Sequence, residues 1–173
     1  MELLKLTGAE YFEEFYALLE KSFPQDERRD KVRQRALFAR EEYKLLCCLE
    51  DGILKGFLAV WDFDAFCFLE HFAVDPHMRG RGLGVKLLAE LSSTTDKPIV
   101  LEVELPETEQ AIRRIGFYRR NGFYSNEYPY VQPAYSKDKK ALPMIIMSRG
   151  RTLEKEEFER IRKKLYSAVY GLA

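Results

Sequence analysis

Apolar positions along the chain change period several times, and each change marks an element. Between Ala9 and Phe23, residues Phe12, Phe15, Tyr16 and Leu19 recur at the spacing of one helical face, and Pro24 stops the run. Residues 25–42 are more charged, but Val32, Ala36 and Leu37 form a weak apolar face and predict a second helix. Tyr43–Phe63 reads as two strands joined at Asp51-Gly52, a dipeptide that favours the tight turn of a hairpin. Cys67–Val74 predicts a third strand, and Leu83, Leu87, Leu88 and Leu91 then trace one buried helical face.

The second half alternates in the same way. After Pro98, residues 99–105 are a short β-rich run. Residues 108–123 predict a helix with Thr108 as N-cap and Asn121-Gly122 as its stop. Residues 124–142, with four tyrosines and two prolines, read as irregular, and residues 143–148 as a last strand. Thr152 is the expected cap of a final helix whose Phe158, Ile161, Leu165 and Val169 share a face. No internal repeat or interdomain linker interrupts the pattern, so a single α+β domain is expected.

Composition narrows the function. The chain has 173 residues, 46% apolar and 32% charged, as in ordinary globular proteins. Lysine plus arginine and aspartate plus glutamate each total 28, a balance that disfavours a general nucleic-acid binder. No long uncharged apolar stretch and no signal-like N-terminus are read, so neither a membrane span nor a secretory leader is expected. Cys47, Cys48 and Cys67 lack metal-ligand spacing and are expected to be reduced core residues of a cytoplasmic protein, with no metal site.

One stretch stands out chemically. Val74–Leu88, VDPHMRGRGLGVKLL, places Gly80, Gly82 and Gly84, with Arg79 and Arg81 interleaved, between a strand and a helix. Unpaired N–H groups at a helix N-terminus and the helix dipole favour an anion there, and glycines let it approach the main chain. A tight turn with solvated arginines is the plainer alternative. No Gly-Lys-Ser/Thr of a P-loop occurs. The dinucleotide fingerprint would need Gly or Ala where Val85 stands; Glu102 has the spacing of its acidic residue, but two helices and a hairpin precede the turn.

Arg79-Gly80-Arg81-Gly82-Leu83-Gly84 resembles the R/Q-x-x-G-x-G/A acetyl-CoA signature of the GNAT N-acetyltransferase superfamily. Leu69–Pro76 resembles the fourth strand and turn before that signature, and Phe117–Phe123 resembles the family's helix ending F/L-Y-x-x-x-G-F. The likeness covers roughly residues 3–149, a GNAT domain over 1–150 followed by a C-terminal helix over 151–173 that packs on the same domain or a partner subunit. It implies a central mixed, mostly antiparallel sheet flanked by helices, and compatibility with a homodimer.

The resemblance also assigns roles. It implies pyrophosphate binding by Arg79, Gly80, Arg81, Gly82, Leu83 and Gly84, and strand-like pairing of pantetheine with Phe72, Ala73 and Val74. The family's splayed strands imply that Cys67–Val74 and residues 99–105 line a cleft. Tyr118 stands at the position of the general acid that protonates the leaving thiolate; its plainer reading is a packing aromatic. Glu70 is the first candidate base, and a solvated or salt-bridged strand glutamate is the equal alternative. Regular alternation would put Phe68, Glu70, Phe72 and Val74 on one face and His71 on the other, as an ordinary hydrogen-bonded histidine; Glu102 and Glu104 are reserve bases, and His77 is read as solvated.

The implied reaction is acetyl transfer from acetyl-CoA, as co-substrate, to a primary amine by direct attack in a ternary complex. The first two helices and residues 127–143 would vary the acceptor site; Tyr128, Tyr130 and Tyr135 offer an aromatic wall, and Asp26, Glu27 and Glu70 favour a cationic amine. A small-molecule acceptor is expected, ahead of a protein N-terminus or lysine, with no nucleic-acid or membrane partner. A catalytically silent acyl-CoA-binding or sensing module and a Rossmann-type nucleotide enzyme are the competing classes.

Overall fold

The computed structural model describes residues 2–172, with side chains from Leu6 onward. The chain forms two compact units, Met1–Lys97 and Pro98–Ala173.

In the first unit, β1 (Glu2–Thr7), β2 (Tyr43–Glu50), β3 (Ile53–Asp62) and β4 (Cys67–Val74) pair in that order, each antiparallel to the next. The expected hairpin joins β2 to β3, with Asp51 at φ 52° and Gly52 at φ 74° as the turn demands. β1 was not expected from the sequence; it is a short run at the sheet edge, defined by its pairing with β2. Helix α1 (Phe12–Ser22) covers one face, its Phe15 ring 4.7 Å from Phe57. Helix α3 (Leu83–Ser93) covers the other. A Cβ on Gly56 would lie 3.2 Å from Leu87 Cδ1 and 3.0 Å from the Ala73 carbonyl oxygen, so a hydrogen is required there.

Helix α2 (Lys31–Ala36) is shorter than expected, capped by Asp30, and has a different inner face. Val32 is 81% exposed, whereas Gln34 is buried and donates to the Tyr43 hydroxyl at 2.8 Å. The inward side chain of this six-residue helix is thus held by a hydrogen bond, which hydropathy does not register.

In the second unit, β5 (Ile99–Glu104), β6 (Phe123–Ser125) and β7 (Tyr130–Gln132) all pair antiparallel with β8 (Leu142–Arg149). β7 and all of β6 but Phe123, which was read as the end of the preceding helix, fall in the stretch read as irregular; at three residues each, their periods are too short to register. Helix α4 (Glu109–Arg120) has the expected Thr108 cap, which accepts from the Ala111 amide, and Gly122 follows it at φ 83°. Helix α5 (Lys155–Lys164) begins after Glu154 with no side-chain cap, two residues beyond Thr152. It continues as a π-helical turn over Leu165–Val169. Phe158, Ile161, Leu165 and Val169 are all buried. Among the described residues, no helix is long and apolar enough to cross a membrane.

Candidate active site

The glycine turn is open and carries no side-chain cap. After β4, Asp75 accepts from the His77 amide at 2.8 Å and starts a short 3-10 turn, Pro76–Met78. Gly80 and Gly82 follow at φ 73° and 75°, and Gly82 is the N-cap of α3 with no side-chain cap bond. A Cβ at either glycine would meet nothing within 4 Å, so positive φ, not crowding, calls for glycine. Arg79 and Arg81 are exposed, Gly84 is half-buried in the first turn, and Leu83 is buried and anchors the helix. The α3 N-terminus thus has bare amides, an open approach and two guanidinium groups beside it, which fits a pyrophosphate.

The end of β4 is fixed from the β3 side. Phe72, Ala73 and Val74 pair with Leu58, Phe57 and Gly56. Upstream, the register slips: Ala59 pairs with His71, but Val60 pairs with Leu69, so Glu70 has no opposite number in this ladder. This bulge corrects the expected alternation. Cross-strand partners share a face, so His71, opposite Ala59, joins Glu70 on the α1 side. Phe72 and Val74, opposite Leu58 and Gly56, turn toward α3. The His71 Nδ1 atom lies 3.9 Å from Glu70 Oε2.

The Glu70 side chain is 0% exposed although the residue is half-buried, so the accessible part of Glu70 is its main chain. Its Oε1 accepts from Arg29 Nη1 at 2.7 Å and its Oε2 from Trp61 Nε1 at 2.9 Å. Burial pushes the Glu70 carboxyl up, but the Arg29 guanidinium, His71 and the two hydrogen bonds outweigh it and leave the pKa below the ordinary carboxylate value. Of the two readings of Glu70, this geometry favours the ion pair.

Arg29 itself was missed, because nothing in SFPQDERRD distinguishes a buried arginine from a solvated one. Its backbone carbonyl accepts from the Tyr16 hydroxyl at 3.1 Å. His71 Nε2 donates to the Glu27 carbonyl at 2.8 Å, and the His71 ring packs 4.7 Å from Phe23. Burial holds the His71 pKa below its ordinary value despite Glu70. The segment between α1 and α2 is therefore fastened to the bulge through Phe23, Glu27 and Arg29. His77 is exposed, as expected.

In the second unit, Tyr118 is 8% exposed on α4, its ring in edge contact with Phe117 and Phe123. Burial pushes its phenol up to about 12, with Arg114 lowering it and Glu104 raising it by smaller amounts. The reserve carboxylates are engaged: Glu104 accepts from Arg114 Nη1 at 2.6 and 2.7 Å, and Glu102 accepts from the Tyr130 and Tyr170 hydroxyls. Among the described residues no group of three or more His, Cys, Asp or Glu side chains is placed to hold a metal ion.

Comparison with known proteins identifies the family. A Bacillus subtilis (strain 168) protein named "Putative acetyltransferase YjbC" is 28% identical over 159 residues, 90% of this chain and 81% of its own. A solved structure from Bacteroides thetaiotaomicron, "Putative acetyltransferase from GNAT family", is 37% identical, covers 98% of this chain and 99% of its own, and superposes with a TM-score of 0.89. The Salmonella typhimurium yncA structure, solved with acetyl-CoA, shares the fold at 22% identity and a TM-score of 0.56, covering 87% of this chain and 96% of its own. The family model "Acetyltransferase (GNAT) family" matches residues 11–123, a span that holds both the glycine turn and Tyr118. The chain belongs to the GNAT acetyltransferase family and has its α+β fold.

Proposed function

We propose that the chain transfers an acetyl group from acetyl-CoA to a primary amine of a small molecule, by direct attack within a ternary complex. The glycine turn carries this reading: bare amides at Gly82–Gly84, open space over Gly80 and Gly82, and exposed Arg79 and Arg81 suit the pyrophosphate of CoA. Phe72, Ala73 and Val74 would align the pantetheine arm along the main chain.

Tyr118 is the proposed acid. With its pKa near 12 it keeps its proton at any working pH. A thiolate of about 8.5 is too weak a base to take that proton fully. Tyr118 therefore works by donating a hydrogen bond as charge develops on sulfur. Glu70, bonded through both oxygens, serves as fixed negative charge that holds Arg29 and the α1–α2 segment, and the amine gives its proton to water. An alkylamine of pKa about 10.4 is only about one part in 2,500 free base at neutral pH, so turnover should rise with pH.

An acetylated cysteine is disfavoured. Burial pushes the Cys47 and Cys67 thiols up to about 11 and about 12, and raises Cys48 as well. These buried free thiols also suit a reducing compartment such as the cytoplasm.

The engaged state of Glu70 favours one second reading, an acyl-CoA-binding module without turnover. Free-thiol release from acetyl-CoA across an amine panel separates the two: the transferase releases CoA in proportion to amine acetylated, and the silent module binds acetyl-CoA without release.

A further inference from the structure

The C-terminal segment brings a second chemistry to β5. Glu102 is half-buried and accepts from the Tyr130 hydroxyl through Oε1, while the Tyr170 hydroxyl lies 2.9 and 2.7 Å from its two oxygens. Both tyrosines are nearly buried. The half-buried Tyr135 ring packs 5.1 Å from Tyr170, and Tyr166 lies 5.8 Å from Tyr130. Tyr166 lies within the π-helical turn and Tyr170 caps its end, a rare geometry frequent at functional sites. Tyr166 fastens that turn to β7 through the Val131 carbonyl at 2.6 Å. Tyr130 and Tyr170 lie beyond the family-matched span of 11–123.

Phenol hydroxyls orient a carboxylate without neutralising it, so these bonds leave the charge of Glu102 in place. A carboxylate set among aromatic rings suits an ammonium group, which gains a charge-assisted hydrogen bond and cation–π attraction together. An ammonium there is stabilised as a cation, which opposes its deprotonation. The reacting nitrogen must be the free base. We infer that Glu102, oriented by Tyr130 and Tyr170, binds a second, non-reacting ammonium of the acceptor, so the substrate class is a diamine or a longer amine with two cationic groups. This rests on the proposed amine acetylation and narrows its acceptor. Glu102 is then a charge reader, Tyr170 is its positioning residue, and neither is the base.

The test uses diaminobutane and aminobutanol, which match in length and differ by one charge. Each is titrated calorimetrically into the full chain saturated with CoA, which has no acetyl group to transfer. Thiol release from acetyl-CoA is followed separately with each amine. Diaminobutane should bind at least about tenfold more tightly than aminobutanol, and Glu102→Gln, which keeps shape, should abolish most of that preference. Tyr170→Phe should raise KM for diaminobutane while changing kcat little, and it serves as the second probe if Glu102→Gln folds poorly. Equal binding of the two probes by the parent, or an unchanged preference in folded Glu102→Gln, overturns the inference. Glu102-dependent binding without thiol release would refute the transferase reading and leave this site standing. Thiol release at equal rates with both amines would do the reverse.

Discussion

Arg29 and Glu70 form an ion pair at 2.7 Å with side chains only 6% and 0% exposed, linking the segment between α1 and α2 to a bulge in β4. The pair explains how a charged loop holds its place beside a candidate catalytic strand. Removing one charge would leave the other buried without its partner. Glu70→Gln should therefore lower stability by about 3–5 kcal/mol, as expected for breaking a buried pair. Chemical denaturation would measure this, and the pH–rate profile should run parallel to that of the parent. A mutant that is slow at neutral pH and recovers toward pH about 9–10, where more amine is free base, would instead make Glu70 the base.

The same cluster sets an acid limit. Burial leaves the folded His71 pKa below its unfolded value, so its contribution is intact above about 6.5 and falls as the pH drops through that region. Glu70 is lowered as well, and its contribution is intact above about 4.3 and lost below it. Stability should thus be flat above neutrality and decline in two stages on acidification. Denaturation midpoints across pH should show the first stage reduced in His71→Gln and the second reduced in Glu70→Gln. An unchanged first stage in His71→Gln would remove His71 from this account.

Acetyl-CoA binding tests the turn. Gly82 needs φ 75°, and any side chain there adds strain while standing over the α3 amides. Gly82→Val should weaken acetyl-CoA binding by at least about tenfold, roughly 1.4 kcal/mol. Arg79→Ala and Arg81→Ala should weaken it by smaller factors that shrink as salt rises. Calorimetry giving parental affinity in a folded Gly82→Val protein would place the phosphates elsewhere.

The features legible in the sequence share a local cause. Thr108, Asn121-Gly122, Asp51-Gly52 and the Leu83–Leu91 stripe act through neighbouring residues, and each does in the structure what its chemistry predicts. The glycine turn was legible for the same reason. The bulge at Glu70 arises from its register against β3, so alternation along β4 alone put His71 on the wrong face. Arg29–Glu70 spans 41 positions and Tyr170–Glu102 spans 68; charge and aromatic patterning name such residues without joining them. β1, β6 and β7 are defined by the strands they pair with, not by their own period.

Tyr118 offers the cleanest separation of chemistry from packing. Its ring meets Phe117 and Phe123, and Tyr118→Phe retains those contacts while removing only the hydroxyl. If that hydroxyl stabilises the departing thiolate, its loss should lower kcat by about 10²–10³-fold, the usual cost of one preorganised donor. The acetyl-CoA affinity and the thermal midpoint should barely move. Because burial pushes the phenol up to about 12, the parent should show no fall in rate assignable to Tyr118 ionisation up to about pH 10. Single-turnover thiol release, measured with a saturating amine, isolates this step from binding. Equal rates for parent and Tyr118→Phe would make Tyr118 a packing residue, and the donor to sulfur would have to be water or a main-chain amide.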